Sequence, residues 1–388
     1  DLMRRYKGIE HPRFPENMDL VEAAEGRTRF FVPRQDPGLQ FPPGNAPVFY
    51  NPRMELNRDT TVLLLTLLRP RDYLDAMGAS GVRGLRVAGE AGIPVTINDR
   101  SERAADLIRH NVKTSGLEIE VTCQDANVLM SGRRFDAVDL DPFGTPAPFT
   151  DSAARSAGNY LFVTATDTAP LCGAHLPAGM RRYFSRPRNT EYHAEVGLRT
   201  LLGFVVREVI RYDRGVEPLF CYAHEHFHRL HLRLRSGAAA ADRTLARIGY
   251  VMQCPGCLYR TEEAGILPEP ADCPLCGARL VAVGPLWTGR INDDQTLAAM
   301  QEALPSVTAG TAPRISRLLS TCRQELDTSS HYDHHVLAGS LRVSPAGIES
   351  VIERLRSLGY SASRAHYSGT ALKTDAPLPL LQEVISGG

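Results

Sequence analysis

Between residues 73 and 165, short apolar runs alternate with amphipathic stretches, and this alternation limits the possible folds more than any other feature of the chain. Runs at 73–77, 95–98, 119–123, 136–140 and 160–165 have the length and content of buried strands. The stretches 82–91 and 101–114 between them carry helical spacing, and Ser101 stands where an N-cap belongs. Strands that alternate with helices pair in parallel, because a parallel neighbour is reached only through a crossover. The expected fold is therefore α/β, a doubly wound sheet. Ligands bind beyond the carboxyl ends of the strands in such sheets.

The fourth of these strands stops abruptly, and Asp141, Pro142, Phe143 and Gly144 follow it. Pro142 fixes its own φ and has no amide proton, while Gly144 admits positive φ. A carboxylate and an aromatic ring are thereby held at the carboxyl end of a strand. The amine of a flat base is a poor nucleophile because its lone pair is delocalised into the ring. A fixed carboxylate accepts its N–H and later takes the proton. A ring stacks the base, an effect of about 1–3 kcal/mol per base. The Asp-Pro-Pro-Tyr and Asn-Pro-Pro-Tyr sequences of amino-methyltransferases follow the same logic. The alternative is an ordinary proline turn.

The turn after the first strand reads DAMGASGVRG, and its small residues Gly78, Ser80 and Gly81 beside Asp75 let backbone approach a ligand where strand passes into helix. It is not the dinucleotide GxGxxG. Asp99 ends the second strand, where an acid accepts both ribose hydroxyls. Asp125, followed by Ala126, ends the third, in reach of an adenine amino group. Each acid alone reads as a helix cap; three at successive strand ends read as a nucleoside site. NAD and S-adenosylmethionine both suit such a site, and Asp-Pro-Phe-Gly favours the methyl donor, since a dehydrogenase has no use for it.

The 388 residues allow two or three domains. No apolar run reaches the ~18 residues that span a bilayer, and the N-terminus lacks a signal-peptide pattern. A cytoplasmic protein with no membrane association is expected, and no obligatory protein partner is evident. The charge balances at 44 basic against 44 acidic residues, so nucleic-acid binding would rest on local patches such as Arg181, Arg182, Arg186 and Arg188, which alternatively form a solvated surface. Cys172 with His175 invites a nucleophile reading, against an ordinary thiol in a pocket-lining loop. His224, His226 and His228 are expected to share one face of a strand.

Residues 1–48 read as short strands with proline-rich loops, and 55–68 and 191–212 as helices. Residues 237–241 read as a linker. Cys254, Cys257, Cys273 and Cys276 then form C-x2-C-x15-C-x2-C, the pattern of a zinc ribbon. With all four positions filled by Cys, no coordination position stays open for catalysis, so the Zn2+ would be structural. Helices are expected near 293–304 and 313–326. Another begins at Ser344-Pro345 and closes at Gly359, and a strand after it makes the tail resemble a winged helix.

FYNPRMELNRD (49–59), DAMGASGVRGLR, the acid in INDRS, QDAN, DLDPFGTPAPF and TATDTAPLCGAH together resemble the tRNA (guanine-26 N(2))-dimethyltransferases, from about residue 26 to 377. The resemblance implies a class I S-adenosylmethionine-dependent methyltransferase domain with an N-terminal extension over 1–236. An α+β tRNA-binding domain over 237–388 would carry the zinc ribbon (250–288) and the winged-helix-like tail (310–378). It implies one or two methyl transfers to the exocyclic amine of guanosine 26 in tRNA. Asp141 would accept the guanine amino and imino hydrogens, and Phe49 and Phe143 would sandwich the base beside Pro142. Arg58, Arg83, Asp99, Asp125 and Ala126 would hold S-adenosylmethionine. The family's DPFGSP is DPFGTP here, with Thr145 keeping the hydroxyl, and some members lack the cysteine quartet. The alternatives are an amino-methyltransferase acting on ribosomal RNA, DNA or a neighbouring tRNA guanosine, a carbon-5 methyltransferase using Cys172, and a non-catalytic RNA-binding protein.

Overall fold

Seven strands in the order β5-β4-β3-β6-β7-β9-β8 make the sheet around which the chain is wound. The computed structural model describes residues 18–34 and 48–387; the proline-rich stretch holding Pro37, Pro42, Pro43 and Pro47 lies outside them. A hairpin of β1 (Leu20–Glu25) and β2 (Thr28–Pro33) precedes α1 (Glu55–Leu68), whose residues 56–65 are all buried. Strand and helix then alternate as β3 (Tyr73–Asp75), α2 (Val82–Arg86), β4 (Val95–Asn98) and α3 (Glu102–Ser115). They continue as β5 (Glu120–Thr122), α4 (Ala126–Gly132), β6 (Phe135–Leu140), α5 (Thr150–Ser156) and β7 (Ala157–Ala165). Ser101 caps α3 through the Ala104 amide, as its position predicts. All six residues of β6 are buried, as a central strand covered by helices on both faces requires.

After β7 come α6 (Thr168–Leu171), α7 (Leu176–Tyr183) and α8 (His193–Ile210), and then the long antiparallel hairpin β8 (Arg214–His224) and β9 (Phe227–Ser236). β9 inserts antiparallel between β7 and β8, whereas β5, β4, β3, β6 and β7 are mutually parallel. The first crossovers run outward from β3 to β4 and β5, and the chain then returns to β6 on the other side of β3. A crevice opens where the order reverses, above the carboxyl ends of β3 and β6.

The structure corrects three expectations. His224, His226 and His228 do not share a strand: Glu225, at φ +44°, turns the chain between β8 and β9, which puts the first two at the hairpin tip and buries His228. Residues 237–241 are not a linker. Gly237, at φ +111°, is the bend before α9, and the alanines after it begin α9 (Ala238–Leu245), in keeping with alanine's helix propensity. Ser344 and Pro345 lie in a loop ahead of α13 (Ile348–Ser357), whose N-cap position is Gly347, one residue before its first buried side chain. Before α13 come four further strands and three helices. These are β10 (Ile248–Gln253), β11 (Arg260–Ala264) and β12 (Val281–Trp287) of the ribbon sheet, then α10 (Asp294–Ala303), α11 (Ala312–Gln324), β13 (Tyr332–Asp333) and α12 (His334–Leu341). β14 (Ala362–Arg364), β15 (Ala371–Thr374) and α14 (Leu378–Ile385) close the chain, and β13, β15 and β14 pair as a small antiparallel sheet.

The second half of the chain is joined tightly to the first. Leu297, Met300, Ile315 and Leu319 of α10 and α11 enter the same apolar core as Leu63 of α1 and Phe220 of β8. Val251 and Leu286 of the ribbon sheet pack on Val196 of α8. Beside them Glu195 of α8 accepts from Arg199 at 2.9 Å, His331 at 2.8 Å and Lys373 at 2.7 Å. Lys373 also stands 2.9 Å from Glu325, so one buried ammonium serves two buried carboxylates. Burial pushes the Glu325 carboxyl up, but Lys373 and His366 outweigh it and hold the group at about 2. No helix among the described residues is long and apolar enough to cross a membrane.

Candidate active site

The crevice holds a cavity of about 670 Å³, a size ordinary for a site that takes one nucleotide-sized ligand. Of the residues expected to touch a nucleoside or a base, Arg58, Asp75, Gly78, Ser80, Arg83, Asp99, Asp125, Ala126, Asp141, Pro142, Phe143 and Phe49 border it. Gly81 does not; a Cβ there would meet Ile108 of α3 instead. The bordering residues come from six separate segments: the winding of the sheet gathers four of them, and α1 with the chain before it supplies Arg58 and Phe49.

The small residues of the first turn are needed for packing beneath the ligand side as well as for approach to it. A Cβ on Gly78 would lie 2.3 Å from Ile97 of β4. Gly81 caps α2 at φ +82°, a conformation unfavourable for residues with a Cβ. Asp75 below the turn is buried and accepts the Gly84 amide at 3.1 Å. Its burial, only partly countered by Arg83, pushes its carboxyl up to about 7. Asp99 accepts the Ala79 amide through Oδ2 and the Ser101 amide through Oδ1, both at 2.9 Å, so it fixes the turn while facing the cavity. Asp125 caps α4 through Oδ1, which accepts from Asn127 at 2.8 Å and Val128 at 3.3 Å. Asp125 thus caps a helix and borders the cavity at once.

The Asp-Pro-Phe-Gly turn is anchored from below and from the side. Arg83 donates through Nη2 to Asp141 Oδ2, while its Nη1 donates to Thr61 at 3.3 Å and stands 3.7 Å from Asp139. Asp139 lies fully buried two residues before Asp141 and accepts Arg229 at 2.7 and 2.6 Å and the Tyr73 hydroxyl at 2.6 Å. Burial raises its carboxyl, but Arg229 and Arg83 outweigh that and hold it well below the usual range. Gly144, at φ +90°, donates to Thr166 Oγ1 at 2.9 Å and accepts the Thr166 amide at 3.0 Å. The Thr145 hydroxyl lies 2.8 Å from Tyr183 Oη.

Phe143 is left 82% exposed at the rim, an unusual position for a phenylalanine inside a well-anchored turn. Its ring meets Phe49 edge to face, centroids 5.4 Å apart and planes at 76°. A flat base does not fit between rings this close, so the expected sandwich needs one of them to turn, and the exposed Phe143 is the one free to do so.

Arg58 borders the cavity, but its guanidinium is committed elsewhere. It donates to both oxygens of Glu25, at 2.7 and 2.5 Å, and to the Asn51 carbonyl at 3.0 Å, bracing β1 against α1. Sequence reasoning missed Glu25, Asp139 and Arg229, and also Phe149 and His226 on the cavity wall. Residues 136–140 read as a buried strand, but nothing local connects Asp139 to an arginine ninety residues away. Cys172 is not placed as a nucleophile. It is buried away from the cavity with Sγ 3.7 Å from His228 Nε2, and burial pushes its thiol up to about 12.

Far from the crevice the four ribbon cysteines converge. Their sulfurs lie within 4.8 Å of one another, with Cys254–Cys276 at 3.4 Å, Cys254–Cys257 at 3.6 Å and Cys257–Cys273 at 3.5 Å. A tetrahedral zinc with Zn–S bonds of about 2.3 Å has sulfur–sulfur edges of about 3.8 Å, so the quartet fits that ion. Amides of Gly256 and Leu275 donate to Cys254 and Cys273 Sγ, an arrangement that stabilises thiolates.

The chain matches known proteins over nearly its whole length. A family model described as N2,N2-dimethylguanosine tRNA methyltransferase matches residues 26–386. A tRNA (guanine(26)-N(2))-dimethyltransferase of Methanoculleus marisnigri is 82% identical over 371 residues, 96% of this chain and 100% of its own length. One from Methanosarcina mazei is 45% identical over 376 residues, covering 93% and 97%. Among solved structures, a complex of Trm1 from Pyrococcus horikoshii with S-adenosyl-L-methionine superposes with a TM-score of 0.86 at 36% identity, over 95% of this chain and 100% of that one.

Proposed function

The chain belongs to the N2,N2-dimethylguanosine tRNA methyltransferase family, and from that premise we propose that Asp141 receives the guanine amine when this enzyme methylates guanosine 26 of tRNA in one or two transfers. The methyl donor is S-adenosylmethionine, whose sulfonium charge already activates the methyl group. The donor set around the cavity suits it: Asp99 for the ribose hydroxyls, Asp125 and Ala126 for the adenine, and the turn 78–80 for close approach.

Asp141 works as an oriented carboxylate. Arg83 occupies Oδ2 and leaves Oδ1 to accept the amino and imino hydrogens of guanine, and the carboxylate then removes the amine's proton. Phe49 and Phe143 hold the extruded base, offsetting the few kcal/mol that unstacking costs. Pro142 holds the backbone that carries both the carboxylate and the Phe143 ring, which turns to receive the base. Positioning contributes most, because the methyl group needs no further activation. In this reading Arg83 orients Asp141 and Arg58 braces the cavity wall. The ribbon cysteines hold structural zinc, and residues 237–388 add contacts to tRNA, which puts the working enzyme in the cytoplasm.

The observation that carries the reading is the pairing of Asp141 with Arg83 beneath two rim phenylalanines. Incubating the protein with S-adenosylmethionine and an unmodified tRNA transcript, followed by mass spectrometry of nucleosides, tests it. N2-methylated guanosine is expected from the transcript with guanosine 26 and none when adenosine replaces it. Methylation of ribosomal RNA in preference to tRNA overturns the substrate assignment.

A further inference from the structure

No acidic residue occurs between Asp167 and Glu191, a stretch that contains four arginines. Arg181, Arg182, Arg186 and Arg188 are all exposed, and only Arg182 pairs with an acid, Asp167 at 3.0 Å. In a chain of balanced charge, three arginines without acid partners among the described residues form a local positive surface. In their midst Phe184 is 71% exposed, with Met180 beside it at 47%.

Phe184 is held in place. It ends α7 at φ +45°, a left-handed conformation that a residue of this kind keeps only where its surroundings enforce it. Arg207, on α8, supplies the enforcement: Nη1 donates to the Phe184 carbonyl at 3.0 Å and Nη2 to the Tyr183 carbonyl at 2.6 Å. This guanidinium spends its donors on carbonyl oxygens, so its charge adds to the patch. The residue before Phe184 reaches the catalytic turn, because Tyr183 Oη donates to Asp167 at 2.6 Å and lies 2.8 Å from the Thr145 hydroxyl, two residues after Phe143. Arg186 pairs through its backbone with Gly284 of the ribbon sheet, tying the other end of the segment.

We infer that Phe184 with Arg181, Arg186 and Arg188 is an RNA-docking platform, on which an unpaired base of the tRNA stacks while the arginines contact phosphates. An aromatic ring among unpaired arginines matches the chemistry of single-stranded and distorted RNA. The inference rests on the tRNA substrate proposed above and adds a second contact area, joined to the base pocket through Tyr183 and Thr145.

The test uses the full chain, with affinity for the tRNA transcript measured across a range of salt concentrations. The triple variant Arg181→Gln, Arg186→Gln, Arg188→Gln is expected to bind at least tenfold more weakly, and its slope of log affinity against log salt should flatten by about 2, the loss of three phosphate contacts. Phe184→Asn, which keeps a residue tolerant of the left-handed conformation, is expected to weaken binding roughly 5- to 150-fold without changing the slope. S-adenosylmethionine affinity and melting temperature should stay unchanged in both. If wild type methylates tRNA and the variants bind it within twofold of wild type, the platform is overturned while the enzymatic reading stands. If wild type neither binds nor methylates tRNA, both fall. Equal tRNA binding with self-association lost in the variants marks the patch as a protein contact and likewise overturns the platform.

Discussion

Arg83 closes its guanidinium onto Asp141 while its other terminal nitrogen stands 3.7 Å from Asp139, so one buried cation orders two carboxylates on the same strand end. Only one of the two reaches the cavity. Replacing Arg83 by Met keeps the volume and removes the anchor. Since misplacing a reacting group by about 1 Å costs up to about 100-fold, kcat should fall roughly 10- to 100-fold with S-adenosylmethionine affinity within twofold. Calorimetry beside steady-state kinetics separates this from a cofactor contact, which would instead weaken donor binding.

The two rim rings offer a second test. Phe49→Ala and Phe143→Ala should each lower kcat/KM for tRNA roughly 5- to 150-fold, the value of one stacked base, and leave donor affinity unchanged. Because the rings touch edge to face at 5.4 Å, removing either also frees the other. The double variant should therefore lose less than the product of the single losses. Loss of donor affinity instead would place the rings at the cofactor.

Much of this was legible locally. The helix over 55–68, the strand over 95–98 and the Ser101 cap depend on spacing and capping chemistry within one turn or one pleat, and they appear where expected. The Asp-Pro-Phe-Gly turn and the strand-end acids were legible for the same reason. What failed to show is what the topology decides. Glu25 with Arg58 and Asp139 with Arg229 are charges brought together from distant segments, and no local pattern pairs them. The histidine trio was misread because alternation continues through a turn that a single left-handed residue, Glu225, inserts. The alanines after Gly237 mimic a small-residue linker while being the strongest helix formers.

The buried ammonium of Lys373 should be essential to the fold. Lys373→Met leaves Glu195 and Glu325 without their shared cation, a change of the kind that costs about 3–5 kcal/mol. Differential scanning calorimetry should show the corresponding fall in melting temperature.

The same pair sets an acid limit. A carboxyl whose folded pKa is depressed stabilises the fold above its unfolded pKa, and this contribution is lost as pH falls through the folded value. For Glu325 the window runs from the ordinary 4.5 down to about 2. Melting temperature should therefore drop across that interval in wild type. The drop should flatten in Lys373→Met, where Glu325 has lost the cation that does most to hold its carboxyl down.

The cysteine quartet predicts stoichiometric zinc by elemental analysis. Cys254→Ser, or treatment with a strong chelator, should release the ion and lower the melting temperature, since structural zinc contributes about 10–16 kcal/mol of apparent binding energy in isolated fingers. Full thermal stability after complete metal loss would deny the ion a structural role.

The central claim is tested most directly at Asp141. With Asp141→Asn, single-turnover methylation of a guanosine-26 tRNA transcript, read by nucleoside mass spectrometry, should fall at least about 100-fold, while calorimetric affinity for S-adenosylmethionine stays within twofold of wild type. Methylation at the wild-type rate in that variant would contradict the assignment.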